Sequence, residues 1–521
     1  MNTATEIIGS GIGHSPLIRR VGDLPAQAAR RYGQRRALIC GDARATFAEI
    51  DAWSASIAGY LAGGGIVPGE RVIVYGANSI GWVVSYYAAL RAGAIVVPVN
   101  KLLTPAEMVY IAGHCGARLI LGSLASLAPL TNESALAALP QLAWDGEDGT
   151  FEATIDAAHA APDLRDGEGV LDTPASICYT SGTTGRPKGA TLTHRNILTN
   201  VLLTATLHGK TEHDVMISAL PCPHVYGNVV TQSVFVTGAQ LVLFPAFDAT
   251  EVLDAIETHR ATVFEGVPTM YYYLLNEALE QRDLSSLRLL TVGGQTMPVV
   301  RMQEVQQRFG LPLVELWGMT ELAGLGTTHS HLVANAGLAP LGSIGTSLPG
   351  VQARITSLDD PKREAPAGDP GELNIRGPIV MQGYWDNEAA TNETIDAAGW
   401  LATGDIATLE PDGTIRVVDR KKDMILTAGY NIYPAEVEGA LCAHEAVAMA
   451  AVVGEPDADK GEIPVAHVVC KADITLSEEA LISHCRTHLA AYKVPRRIVF
   501  TDDLPKTSSG KILRRALRRE P

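Results

Sequence analysis

Cysteine is scarce in this chain of 521 residues, which has seven, scattered singly and without a CxxC pair. Such usage argues against a disulfide framework and against a zinc site, and it suits a reducing compartment. Basic residues are also outnumbered: the chain has 41 lysines and arginines and 57 aspartates and glutamates, which gives a net charge of −16. We therefore expect no general nucleic-acid binding, which needs a basic surface.

Long uninterrupted apolar runs are missing as well. The apolar region 71–100 is broken by Gly76, Asn78, Arg91 and Gly93, which is typical of two buried strands around a helix and not of a membrane span. The first residues lack the basic start and the continuous apolar segment of a signal peptide. We therefore expect no transmembrane segment and a cytoplasmic location.

The length of the chain and its alternating pattern predict more than one domain of α/β type. A chain of 521 residues exceeds what one hydrophobic core normally serves. Short β-rich runs alternate with helical stretches, and this alternation predicts a large multi-subdomain N-terminal domain with layered α/β sheets. The predicted buried strands are 71–75, 94–98, 118–121, 240–244, 261–264 and 287–292, and the clearest helices are 250–260 and 299–309.

The pattern changes towards the C-terminus, first to short strands and turns from Gly371 and then to a small α+β unit after Asp423. In that unit, 447–453 and 465–470 are predicted strands, and 477–490 is a predicted amphipathic helix. The boundary is placed in the charged segment between two apolar regions. The predicted organisation is an N-terminal domain 1–418, a hinge 419–423, and a small mobile C-terminal domain 424–521.

One loop, 179–189 (YTSGTTGRPKG), concentrates groups that can hold a polyphosphate. It is not a Walker A loop, because its lysine is followed by glycine and not by serine or threonine. Taken alone, such a run is more often a solvated loop. Its candidate phosphate-binding residues combine glycines, which let the backbone approach a ligand, with hydroxyl donors and one cation. They are Thr180, Ser181, Gly182, Thr183, Thr184, Gly185 and Lys188.

Together with further segments, this loop resembles the signature of the acyl-adenylate-forming superfamily, which contains acyl-CoA synthetases, luciferases and the adenylation domains of peptide synthetases. So many ordered matches over most of the chain exclude a chance resemblance. The matching segments are 220–227 (LPCPHVYG), 292–294 (VGG), 316–321 (LWGMTE), 371–373 (GEL), 403–405 (TGD), 419–423 (DRKKD), 429–436 (GYNIYPAE) and 505–511 (PKTSSGK).

The resemblance implies a two-step reaction in which a carboxylate attacks the α-phosphate of ATP and the resulting acyl adenylate then reacts with the thiol of CoA. Lys511, Glu321, Thr184 and His224 would be the catalytic residues. Lys511 would place a cation between the two anions of the first step, and Glu321 would bind Mg²⁺ through a hard carboxylate oxygen. His224 would gate the carboxylate, although a lone histidine is more often structural.

The resemblance also implies how the nucleotide and CoA are held. Trp317 stands where the family usually has a tyrosine that stacks on adenine, and Gln295 stands where it commonly has alanine. We expect Gln295 to narrow the acyl pocket or to bond a polar acyl tail. The implied ligand-binding residues outside the loop are Gly293, Gly294, Gln295, Trp317, Gly318, Met319, Thr320, Asp405 and Arg420 on the nucleotide, and Gly429 on the CoA tunnel.

The acid itself is left open between an apolar fatty acid of medium or long chain and an aryl or cinnamyl-type acid. The approximate pocket walls are mostly apolar or small and contain no arginine, which favours a monocarboxylic acid. Adenylation without CoA stays open as a further function, whereas non-catalytic nucleotide sensing is disfavoured because both Lys511 and Glu321 are present. The oligomeric state is also open, with a homodimer as one option. The walls are Tyr226, Gly227, Val267, Tyr271, Gly293, Gln295, Met319 and Gly324.

Overall fold

The computed structural model describes residues 18–146, 170–180, 186–457, 459–471, 474, 476–507 and 510–518. Twenty strands form the large domain: β1 Arg36–Cys40, β2 Ala43–Thr46, β3 Arg71–Gly76, β4 Ile95–Asn100, β5 Ala117–Gly122, β6 Gln141–Ala143, β7 Pro174–Thr180, β8 Lys188–Thr193, β9 Val215–Ser218, β10 Gln240–Leu243, β11 Val263–Gly266, β12 Leu289–Val292, β13 Leu313–Met319, β14 Gly324–Thr328, β15 Thr346–Ser347, β16 Gln352–Thr356, β17 Gly371–Arg376, β18 Gly383–Tyr384, β19 Leu401–Leu409 and β20 Ile415–Arg420.

Helices cover these strands. Those of the large domain are α1 Leu24–Tyr32, α2 Phe47–Gly63, α3 Ile80–Arg91, α4 Pro105–Cys115, α5 Leu124–Leu127, α6 Ser134–Ala137, α7 His194–Leu207, α8 Val225–Thr237, α9 Ala249–His259, α10 Pro268–Leu274, α11 Val299–Phe309, α12 His331–Asn335 and α13 Glu388–Thr394. The small domain contains β21 Ile425–Thr427, β22 Tyr430–Ile432, α14 Pro434–Cys442, β23 Val447–Asp457, β24 Gly461–Cys470, α15 Glu478–His488 and β25 Arg497–Phe500.

Three sheets build the large domain. A nine-stranded sheet has the order β15-β14-β13-β12-β11-β9-β10-β1-β2, and a seven-stranded sheet has the order β18-β8-β7-β4-β3-β5-β6. The inner strands of both sheets run parallel. Antiparallel strands lie at both edges of the nine-stranded sheet and at the β18 edge of the seven-stranded sheet. Every residue from Ile80 to Leu90 in α3 is buried, so this helix lies inside the layers. A four-stranded antiparallel sheet, β16-β17-β19-β20, completes the domain.

The predicted α/β class and the predicted strands are confirmed. β3 begins at Arg71 and β12 ends at Val292 as expected, and β4 and β11 begin one and two residues later than predicted. These strands were recognisable because parallel strands covered on both faces are continuous apolar runs, and all four residues of β12 are buried. β11, β12 and β13 are parallel neighbours, so their carboxyl ends meet at one edge of the sheet.

The chain passes from one sheet to another between Arg420 and Ile425. β20 ends the four-stranded sheet and β21 begins the sheet of the small domain, which has its own apolar core. A turn joins them, in which the N–H groups of Asp423 and Met424 donate to the carbonyl of Arg420. The assignment of 419–423 as a hinge stays a prediction, and β20 extends two residues into it. Over the described residues, the structure contains no helix with the length and apolarity that crossing a bilayer requires.

Candidate active site

Asp405 of β19 and Trp317 of β13 meet in the structure although they are 88 positions apart in the sequence. The indole Nε1–H of Trp317 donates a hydrogen bond of 2.7 Å to Oδ2 of Asp405. The guanidinium of Arg420, opposite Asp405 in the strand pair, lies 3.6 Å from Oδ1. Burial raises the pKa of Asp405, while Arg420 and the Trp317 bond act in the opposite direction. The Asp405 carboxylate is thus oriented before any ligand arrives.

Glu321 lies in a one-turn helix directly after β13 and is 7 % exposed. The hydroxyl of Tyr384 donates to its Oε1 at 2.8 Å, and the ammonium of Lys188 lies 5.1 Å from the centre of the Tyr384 ring. Burial raises the pKa of Glu321, and Tyr384 and Lys188 oppose this. Tyr384 therefore links the candidate metal ligand to the first residue of β8, where the phosphate loop ends.

Lys511 reaches this site from the small domain. Its Cε lies against Gly294, where an added Cβ would come within 3.0 Å of it. Burial is the main cause that lowers the pKa of Lys511 to about 8, Arg420 acts in the same direction, and Asp405 and Glu321 oppose both. The same ammonium helps to lower the pKa of His224 to about 3, after the larger effect of burial. These interactions place Lys511 in one electrostatic cluster with the two carboxylates.

His224 caps the N-terminus of α8. Its Nδ1 accepts a hydrogen bond from the N–H of Tyr226 at 3.3 Å, and its backbone N–H donates to the carbonyl of Pro221. With its pKa depressed, the imidazole is neutral at physiological pH. His224 therefore has a structural role as a helix cap, and the gating role expected of it stays a prediction.

Glycines line the strand ends because no side chain fits there. An added Cβ at Gly293 would lie 2.2 Å from Cδ1 of Leu316, and one at Gly318 would lie 1.9 Å from the carbonyl oxygen of Gly324. Gly294 has a φ of +90°, which favours glycine. Met319 ends β13 and Thr320 begins the turn that contains Glu321. All five predicted residues therefore lie on one edge.

Gln295 has a different partner from the one expected. Its Oε1 accepts a hydrogen bond from the N–H of Ile512 at 2.9 Å, and its Nε2 donates to the carbonyl of Ile512 at 3.2 Å. Both polar atoms of the amide are thus engaged by the backbone next to Lys511. The expected bond to a polar acyl tail finds no support in this arrangement, because the amide points to the small domain.

Part of the predicted phosphate loop lies outside the described residues, namely Ser181, Gly182, Thr183, Thr184 and Gly185. The ends of the loop are described. Thr180 closes β7 and Lys188 opens β8, and the two are paired in the antiparallel ladder. The loop is therefore the connection of a β-hairpin whose base carries Lys188.

The structure does not bring Gly429 to this cluster. Gly429 and Ala428 form the two-residue turn between β21 and β22, with φ values of 82° and 47°. An added Cβ at Gly429 would have no heavy atom of the described residues within 4 Å. Two residues of the site were missed because their partners are distant in the sequence. Tyr384 bonds Glu321, and the hydroxyl of Thr269 donates to the carbonyl of Gly510, next to Lys511, at 2.7 Å.

Comparison with known proteins identifies the family of this chain. Residues 25–385 match the family model of the AMP-binding enzyme, and residues 436–511 match its C-terminal domain. A long-chain-fatty-acid–CoA ligase of Escherichia coli O6:H1 is 34 % identical over 96 % of this chain and 94 % of its own. A feruloyl-CoA synthase of an Amycolatopsis species is 36 % identical over 96 % and 98 %. The crystal structure of ATP-bound MatB from Rhodopseudomonas palustris has a TM-score of 0.86 at 30 % identity, covering 95 % and 98 %.

The chain therefore belongs to the AMP-binding enzymes, the acyl-adenylate-forming superfamily, in its acyl-CoA synthetase branch. It is an AMP-forming acyl-CoA synthetase, and ATP and CoA are the co-substrates that this family uses.

Replacement of Lys511 by alanine should slow the release of pyrophosphate by at least about 100-fold, because a positioned cation is lost where two anions meet. Conversion of supplied acyl-AMP to acyl-CoA should continue at nearly the normal rate. Both half-reactions can be followed separately in single-turnover experiments. An equal loss in both would contradict the role given to Lys511.

The pH dependence of the first half-reaction should follow the protonation of Lys511. Its pKa of about 8 in the free enzyme means that the ammonium is lost above that pH, so kcat/KM for ATP should fall there. The Lys511→Arg variant is the matched control, since a guanidinium stays charged. Its residual activity should show no fall near pH 8, and a fall identical to the wild type would assign the titration to another group.

Proposed function

We propose that this synthetase activates an apolar monocarboxylic acid, with a fatty acid of medium or long chain as the first candidate. An aryl or cinnamyl-type acid is the second candidate, because the relatives include a feruloyl-CoA synthase as well as long-chain-fatty-acid–CoA ligases. The observation that carries the activation of an acid is the position of Lys511 beside Gly294, in one charge cluster with Asp405 and Glu321. We place this activity in the cytoplasm. The oligomeric state stays open, with a homodimer as one option.

In the proposed first step, the chain's own groups orient two anions for reaction. Lys511 lies between the carboxylate and the α-phosphate, and Asp405, held by Trp317, accepts the ribose hydroxyls. Glu321 would hold Mg²⁺, whose charge would offset that of the phosphates; its carboxylate suits a hard cation. Lys188 and the hydroxyls of the preceding loop would bind the leaving pyrophosphate.

The environment of the acyl group supports an apolar acid. Two of the expected pocket walls are tyrosines whose hydroxyls already have partners. The hydroxyl of Tyr226 bonds the hydroxyl of Thr291, and that of Tyr271 donates to the carbonyl of Thr291, both at 2.8 Å. Behind them, Lys210 and Glu265 pair with each other at 3.1 Å, with side chains that are 0 % and 1 % exposed. These charges neutralise one another, so neither is available to a second carboxylate.

The second step requires another surface at the same site. We propose that the small domain turns about 419–423, which withdraws Lys511 and brings in the hairpin turn of Ala428 and Gly429. In support, the chain changes sheets at this segment, and the space beside Gly429 is free of the atoms of other described residues. The small side chains of the turn would leave room for the pantetheine arm of CoA. Such a movement can limit turnover.

The acid is identified by a panel of saturated fatty acids of graded length and of cinnamic and benzoic acids, scored by pyrophosphate release with and without CoA. We expect sustained AMP formation that depends on CoA, and the highest kcat/KM for an apolar acid. Pyrophosphate release with no CoA-dependent formation of AMP would favour adenylation alone. A preference for a dicarboxylic acid would contradict the pocket assignment.

Replacement of Gly429 by leucine should block thioester formation while acyl-AMP still forms, because the added side chain would fill the CoA tunnel. The control is Gly429→Ala, which shares the strain of a positive φ but adds only one carbon. We expect the alanine variant to lose less than about 10-fold in the CoA step, on the strain of a left-handed residue. Unchanged CoA turnover in the leucine variant would remove Gly429 from the tunnel.

A further inference from the structure

Two side chains of the large domain hold the backbone on either side of Lys511. The hydroxyl of Thr269 donates to the carbonyl of Gly510 at 2.7 Å. On the other side, the amide of Gln295 exchanges two hydrogen bonds with the N–H and C=O of Ile512, at 2.9 and 3.2 Å. We call these four residues the lysine-loop latch.

The latch also requires close packing. Gly510 has a φ of +80°, and an added Cβ there would lie 3.3 Å from Cγ2 of Val267 and 3.4 Å from Oγ1 of Thr269. Gly294 lies against the Lys511 side chain, where an added Cβ would be 3.0 Å from Cε and 3.6 Å from Nζ. The lysine loop therefore packs closely against the large domain because both contact positions, Gly510 and Gly294, lack a side chain.

The latch residues lie in or next to regular secondary structure. Thr269 lies in the first turn of α10 and is 2 % exposed, and Gln295 follows β12 by three residues. Within the loop, Thr507 braces the turn, since its Oγ1 accepts from the N–H of Lys511 and its N–H donates to the Lys511 carbonyl. A movement of the small domain as a rigid body would consequently break all three latch bonds together.

We propose that Thr269 and Gln295 are positioning residues that hold the lysine loop in the large domain during acid activation and release it before the CoA step. This inference rests on the proposed two-step function. It assigns a stabilising role for one domain arrangement to Gln295, the position where the chain departs from the alanine common in its family. A hydrogen bond of this kind changes an equilibrium by about 2- to 12-fold, so the latch can bias the two arrangements substantially.

The variants Thr269→Val and Gln295→Ala remove the latch bonds with little change elsewhere. Thr269→Ser is the matched control, because it keeps the hydroxyl. Tyr273→Phe is the second control, since it removes an exposed hydroxyl contact of 3.5 Å to Asp503 between the same two domains and leaves the three latch bonds in place. Thermal unfolding of each variant would establish that it is folded.

Hydrogen–deuterium exchange of the free full-length protein tests the latch without any substrate. The amides of segment 510–514 should exchange about 3- to 10-fold faster in Thr269→Val and Gln295→Ala, and at the normal rate in the two controls. Unchanged exchange in both latch variants would overturn the proposal. Because this readout needs no acid, it stands even if the proposed substrate is wrong.

The two half-reactions provide the functional readout, with octanoate and ferulate as the acids. Pyrophosphate release should slow by about 3- to 10-fold in the latch variants, whereas thioester formation from supplied acyl-AMP should keep its rate or increase. An equal loss in both steps would show a merely structural role and overturn the proposal. Absence of pyrophosphate release in the wild type with every acid of the panel would instead count against the proposed function.

Discussion

The charge balance around Lys511 is the constraint on which the arrangement of the site depends. Burial disfavours its ammonium and Arg420 repels it, while Asp405 and Glu321 favour it. Burial likewise raises the pKa values of these two carboxylates, and Arg420 opposes this at both, so in each group burial disfavours the charge and a neighbouring charge favours it. The net charge of −16 cannot attract an anionic substrate, and capture therefore depends on such local groups.

Lys511 enters this cluster on a loop that is braced within its own domain. Three residues further on, Arg514 makes hydrogen bonds of 2.9 and 2.7 Å to Glu438 and lies 3.5 Å from Asp419, at the end of β20. Asp419 also accepts from the N–H of Ala435 at the start of α14. The base of the lysine loop, the first helix of the small domain and the link between the domains thus share one network. Such a network favours movement of the lysine loop with its domain, and not by itself.

The elements of this fold could be predicted from the sequence far better than the side-chain contacts of the site. The helix 299–309 has the bounds that its apolar spacing predicts, because local periodicity determines which face is buried. By contrast, Tyr384 bonds Glu321 across 63 positions, and Gln295 bonds Ile512 across 217. Such pairs leave no local signal, which is why the sequence predicts for Gln295 a narrowed acyl pocket or a polar acyl tail, and predicts no role for Tyr384.

The turn between β21 and β22 combines backbone strain with the position proposed to face CoA. Both central residues have positive φ, the geometry of the turns that suit two-residue hairpins, in which asparagine and glycine are the usual residues. Ala428 occupies the first position and costs about 1 kcal/mol in this conformation. A polar residue would relieve the strain at the expense of a larger side chain. Both residues of the turn are small, which is the property that the proposed approach of CoA requires. Lys511 has a long charged side chain, which the proposed latch would hold, and it lies on a separate loop of the same domain.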